Sequence, residues 1–370
     1  MKPQKLAPNC NQLILITAYP LNSSIHPRFW HISKGIPFGT FHRSIFEYLN
    51  KRMLKQSLLS VLLFFAGCTA SLLAQQARQY SFTQYSTANG LVSNHVNAVG
   101  QDKKGYIWLA TTNGLQRFDG REFITFKHHP NQPNSIPSNN LATMFCDSKG
   151  RVWIINEDNQ IGLFDNERFT CKEVEVDMPP RSLNIFHTSI FKEDWKGTLY
   201  LLMIGKGVFR LDESQQRFLP ISREATLPAN WTVLYFQPDA NRKVLWLGCD
   251  SGLVKYEPDL KRLSYPGNNR SRDPIIDSFA GIHNIQGIEP IHNSKSLALF
   301  HWPYRHPVPY FYWYDGNTGK KTRHYIGPYI PRVYHEYRGM SQQKNGTIWV
   351  YGLPFIAEFD TIQQLFQFVH

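Results

Sequence analysis

The sequence predicts an all-β protein, a β-propeller of four-stranded blades with about six blades encoded, as an incomplete seven-blade ring. Three observations carry that prediction. A turn-and-strand cassette, acidic residue, Gly three positions on and Trp three further, recurs at a near-constant spacing. Asp102, Gly105 and Trp108 form the first copy, Asp147, Gly150 and Trp153 the second, Asp194, Gly197 and Tyr200 the third. Looser copies follow at Trp246, at Leu297–Leu299, and at Gly346 with Trp349. Equivalent positions lie 45, 47, 46, 53 and 50 residues apart, and a fixed period of that size marks a repeat architecture. The second observation is a partner cassette after each first one, in which a short apolar run ends in Asp119, Asp165, Asp212, Glu257, Asp315 or Asp360. The third is that Ile107 and Leu109 face one way and Trp108 and Ala110 the other. Both faces of that strand are therefore covered, as in stacked blades.

The elements follow in order. Residues 1–52 carry seven basic residues against one acid, Glu47, half of the chain's formal net charge of +12. They read as an upstream extension of the reading frame, with Met53 as the natural start. Residues 53–74 read as a signal peptide. A basic start at Lys51, Arg52 and Lys55 precedes the apolar run Leu58–Ala66 and then small residues. That run is too short for an ordinary membrane span. Cleavage after Ala74 is preferred. The alternative is a lipoprotein box, Phe65-Ala66-Gly67-Cys68, which would lipidate Cys68.

Residues 75–370 form the propeller, with repeats at approximately 91–130, 138–177, 184–222, 231–266, 281–325 and 333–369. In the first, strands are expected at 95–102, 106–112, 115–119 and 122–127, bounded by Gly, Asp and Asn turns. No window shows a sustained helical period, so helices should be scarce. Tyr80–Tyr85 reads as an outermost strand without partners before it, and Gln364–Phe368 matches Glu122–Phe126 at the other end. A blade shared between the two ends would be a seventh. Its missing strands would lie beyond His370, which makes the chain a truncated fragment.

With cleavage at Ala74 only Cys146, Cys171 and Cys249 remain, read as small buried hydrophobes rather than a disulfide framework. No Cys/His spacing fits zinc, and no dense Lys/Arg stripe argues for nucleic acid. Two connections are long: His128–Pro137, between blades one and two, and His301–Pro309 in blade five. The second offers His301, Trp302, Tyr304 and Arg305 as ligand-binding candidates: flat rings for the apolar face of a sugar, donors for its hydroxyls or carboxylates. Packing over the channel mouth is the competing role for that loop. Tyr310–Tyr314 reads as blade core.

The cassettes, with the lead-in segment Tyr80–Asn94, resemble the two-component regulator propeller repeat of the extracytoplasmic sensor region of hybrid two-component histidine kinases. The resemblance covers roughly residues 80–370. It implies an exported, periplasmic or cell-envelope, non-catalytic receiver for oligosaccharides or another small molecule, without a cofactor. Kinase activity would reside in a C-terminal region absent from this chain. Homodimers or association with other propeller modules are the implied partners. Two alternatives compete. One is a secreted interaction scaffold. The other is a propeller hydrolase or lyase acting on glycans, although Asp boxes of the sialidase form are absent and the recurring acids end strands rather than face each other.

Overall fold

The computed structural model describes residues 12–15, 81–178, 189–302, 309–325, 336–353 and 355–368. It divides into two compact units, residues 1–85 and 86–370. In the first unit, β1 (Gln12–Leu15) pairs in parallel with β2 (Ser81–Gln84). The lead-in segment is thus a strand, as expected, but it has a partner before it, which comes from the stretch expected to lie outside the fold.

The second unit holds six four-stranded antiparallel blades. Blade one is β3 (Val96–Gln101), β4 (Ile107–Thr111), β5 (Gly114–Phe118) and β6 (Phe123–Phe126). Blade two is β7 (Leu141–Cys146), β8 (Val152–Asn156), β9 (Ile161–Asp165) and β10 (Thr170–Val176). Blade three is β11 (Ser189–Glu193), β12 (Leu199–Met203), β13 (Gly207–Asp212) and β14 (Arg217–Pro220). Blade four is β15 (Val233–Asp239), β16 (Val244–Cys249), β17 (Leu253–Glu257) and β18 (Arg262–Ser264). Blade five is β19 (Ile285–Pro290), β20 (Leu297–His301), β21 (Tyr310–Tyr314) and β22 (Lys321–Tyr325). Blade six is β23 (Glu336–Gln342), β24 (Ile348–Leu353), β25 (Ile356–Asp360) and β26 (Leu365–Phe368). Among the described residues the α-helical content is one turn, α1 (Pro274–Ser278), capped by the Asp273 side chain.

Each blade runs from an inner to an outer strand, and the inner strands β3, β7, β11, β15, β19 and β23 touch in succession. Five of the six carry a one-residue register shift against their neighbour, β11 being the exception, the local bend that a bulge supplies. Blades two and three go further. Their outer strands pair in parallel, Glu175 with Arg217 and Val176 with Phe218, which joins the two blades into one eight-stranded sheet.

Burial explains the stacking. Trp108, Ala110 and Leu115 of blade one pack with Leu141, Met144 and Ile154 of blade two. Equivalent clusters lie between blades two and three around Trp153 and Phe191. Blades three and four meet around Tyr200 and Phe236, blades four and five around Trp246 and Ile288, and blades five and six around Phe311 and Phe359. The six blades therefore share five inter-blade cores, and among the described residues no cluster joins blade six to blade one.

Candidate functional site

The acid that begins the cassette in blades one to four is a structural clasp. Asp147 accepts hydrogen bonds through Oδ1 from the backbone N–H groups of Lys149 (3.0 Å) and Arg151 (2.8 Å), and through Oδ2 from the Trp153 indole (2.9 Å). Asp102 does the same for Lys104, Tyr106 and Trp108, and Asp239 for Asn241, Arg242 and Trp246. Asp194 caps its turn identically, but Tyr200 stands where the indole would be. Gly105, Gly150 and Gly197 adopt φ of +90°, +80° and +75°, a backbone region that glycine enters without penalty. The spacing exposes the motif in the sequence; the aspartate–indole bond that fixes the spacing appears only in the fold.

Five of the six acids ending a blade's third strand are equally committed. Asp119, Asp165, Asp212, Asp315 and Asp360 each accept two backbone N–H bonds from the turn that follows. For the first four these bonds, with the Ser214 hydroxyl leading at Asp212, hold the carboxyl below its ordinary value. A carboxylate so held stays ionised and acceptor-only, poorly suited to donating a proton.

Of the ligand-binding candidates, Tyr304 and Arg305 lie outside the described residues. His301 is buried at the end of β20, with Nδ1 against the His283 carbonyl and its ring parallel to Tyr310. Burial holds its imidazole below the ordinary value, so it is neutral near pH 7. Trp302 is half-buried. Its ring meets Phe300 edge-on at 6.4 Å and packs on the core between blades five and six. Its backbone N–H donates to Asn284 O (3.2 Å). The aromatic run of β21 is blade core, as its pattern predicts. Cys146 and Cys171 are free, and burial pushes both thiols up to about 12, which makes them packing groups.

Three sites emerge beyond the blade-five candidates, the second of them along the His128–Pro137 linker that the sequence marks as long. The first lies where the inner strands of blades three to six converge. The Lys192 Nζ sits 5.6 Å from the centre of the Tyr235 ring, Tyr235 donates to Gln237 Oε1 (3.4 Å), and the Gln342 N–H donates to Glu289 Oε1 (3.1 Å). The Tyr351 hydroxyl crosses Gly339, where a methyl group would meet it at 2.6 Å, so glycine admits the phenol. Desolvation lowers the Lys192 ammonium and raises the Glu289 carboxyl and both phenols, although Tyr351 remains 39% exposed. The cluster is crowded and opens to solvent at Tyr351. Lys192 and Gln237 both stand two residues before the aspartate that opens their cassette, which is the signal that could have found them.

The second is a cavity of about 500 Å3 at the outer rim between blades one and two, framed by the His128–Pro137 linker, Phe126, Phe164 and Phe169. The linker lies along β10 there, with Asn134 O accepting from Cys171 N (2.7 Å). The third, about 520 Å3, surrounds the first turn of blade three. Its charges are already paired, Lys149 with Glu213 (2.6 Å) and Lys196 with Asp259 (2.5 Å). No group of three metal-ligating side chains occurs among the described residues.

A family profile, "Two component regulator propeller", matches residues 90–113. Over 77 residues the chain is 35% identical to Histidine kinase P4 of Formosa agariphila, covering 21% of this chain and 6% of that protein. Among solved structures it is similar to two extracellular domains of putative hybrid two component systems from B. thetaiotaomicron. One has 20% identity and a TM-score of 0.56 over 78% of this chain, the other 16% and 0.55 over 75%. The chain spans 36% of the length of each. At these identities the likeness concerns the propeller fold.

Proposed function

Because the chain carries the two-component regulator propeller repeat, we propose that it is the extracytoplasmic ligand-sensing part of a two-component signalling protein, non-catalytic itself and recognising oligosaccharides. The observation that carries this reading is the match at residues 90–113 inside a six-bladed unit whose fold is that of hybrid-system extracellular domains. The turn-committed carboxylates support the non-catalytic part, since glycan hydrolysis needs two carboxyl groups free to face a substrate. Phosphotransfer belongs to another part of the signalling protein. The basic, then apolar, then small-residue pattern of residues 51–74 supports export, and no helix among the described residues is long and apolar enough to cross a membrane. Ligand binding acts by favouring one arrangement of the sensor modules over another.

Partners of the same kind, further propeller modules or a second copy, fit the rim of blade six, where Ile362 and Leu365 are 92% and 58% exposed. The test is thermal unfolding of the full chain against neutral and acidic oligosaccharides. A ligand at about 100 times its Kd stabilises the native state by roughly 2.7 kcal/mol, several degrees in Tm. A selective shift supports the reading. Hydrolysis of any panel member, or no shift with all of them, sinks it.

A further inference from the structure

In five of the six blades the fourth residue after the acid ending the third strand adopts a left-handed backbone: Phe169 (φ +58°), Gln216 (+52°), Lys261 (+48°), Gly319 (+70°) and Gln364 (+54°). The slot suits glycine and tolerates flexible polar residues. Any residue but glycine brings a Cβ that crowds the neighbouring carbonyl there, and a bulky aromatic is the least common occupant. Such outliers persist where the surroundings over-determine them, and they cluster at ligand sites.

Phe169 is also the residue of this set that lines a cavity of about 500 Å3. Its ring packs against blade one. Phe126 stacks on it at 5.2 Å and the Arg117 guanidinium lies 5.4 Å from its centre. Both project from the same face of blade one, since Trp108 pairs with Arg117, and Leu115, two residues from Arg117, pairs with Phe126. Phe169 nevertheless remains 49% exposed and forms part of the cavity wall. Across from it the linker presents Asn131, Gln132 and Asn134, all exposed. The volume falls in the roughly 300–1,000 Å3 range of small-molecule sites.

From this geometry we infer that the rim between blades one and two is a saccharide-binding site, in which a sugar ring stacks on Phe169 and its hydroxyls bond the linker amides. This rests on the proposed oligosaccharide sensing and gives it a location. An apolar C–H face meets the flat ring, and amides offer both donors and acceptors to hydroxyls. The lining holds no Asp or Glu, so a bound sugar is left intact, as sensing requires.

The experiment is calorimetric titration of the full chain with neutral and uronic-acid-containing di- to tetrasaccharides. It is run on wild type, on Phe169→Gln, which copies Gln216 and Gln364 in the sister blades, and on an Asn131→Ala/Gln132→Ala double variant that touches no core. The expected result is a saccharide bound by wild type with roughly tenfold or greater loss of affinity in each variant, while both unfold cooperatively. If Phe169→Gln does not fold, the linker variant decides. Undiminished binding in the folded variants overturns the rim site and leaves the sensor reading standing. Absence of binding by wild type overturns the ligand class, and the site with it.

Discussion

Asp147 satisfies two backbone amides and one buried indole with a single carboxylate, while Arg151 Nε donates at 2.6 Å to the same Oδ2 that takes the indole. Removing the acceptor strands those donors in a site that is 3% exposed, and each buried unsatisfied group costs roughly 1–3 kcal/mol. Asp147→Ala should therefore destabilise by roughly 3 kcal/mol or more in urea unfolding. Asp194→Ala should cost less, because Tyr200 brings no indole N–H to its carboxylate. Equal losses at both positions would show that the indole bond is not what makes the clasp. At this scale much was legible in the sequence. The D-x-x-G-x-x-W spacing is the shadow of one hydrogen bond, and the positive φ at its glycine is dictated by the turn. Phe169 was not singled out, although its place four residues after Asp165 matches Gln216 after Asp212 and Gln364 after Asp360. Only a backbone angle tells an exposed loop phenylalanine from a constrained one.

Between elements the sequence said less. In the first three cassettes a lysine reaches a carboxylate in the third-to-fourth-strand turn of the next blade: Lys104 with Glu167 (3.1 Å), Lys149 with Glu213 (2.6 Å), Lys196 with Asp259 (2.5 Å). Strand positions were readable because Gly and Asp punctuate them. These pairs, 63 or 64 residues apart, were not, since only stacking brings one blade's turn over its neighbour's. The middle pair is the strongest, because Arg151 joins it, with Nη1 at 2.9 Å from Glu213. That bond, with Lys149 behind it, pulls the Glu213 carboxyl down to about 2 from its ordinary 4.5. A depressed folded-state pKa adds stability that is complete above the unfolded value and is lost as pH falls through the folded one. The contribution should thus fade between about pH 4.5 and pH 2. Glu213→Gln should flatten that part of the acid-unfolding curve while leaving its slope near neutrality unchanged. The side chain is partly solvated, so the effect is modest. An unaltered acid limb would mean that the pair is screened to nothing.

Across the whole molecule, stability is a sum of blades and the cores between them, as in other stacked-repeat proteins. Blades two to five each meet a neighbour on both faces, while the cores found for blades one and six each lie on one. Hydrogen exchange followed by mass spectrometry should show its slowest amides in β12 and β16, the second strands of blades three and four, and faster exchange in β4 and β24. Uniform protection across all six would require a further contact between the first and last blades. The fusion of β10 to β14 bears on motion rather than stability. Adjacent blades can hinge only where their sheets share side chains alone, because interdigitated side chains can slide but main-chain hydrogen bonds across an edge cannot stretch. The seam between blades two and three is therefore splinted. The rim cavity lies at the seam beside it, so closure around an occupant would swing blade one against a double-width, rigid leaf.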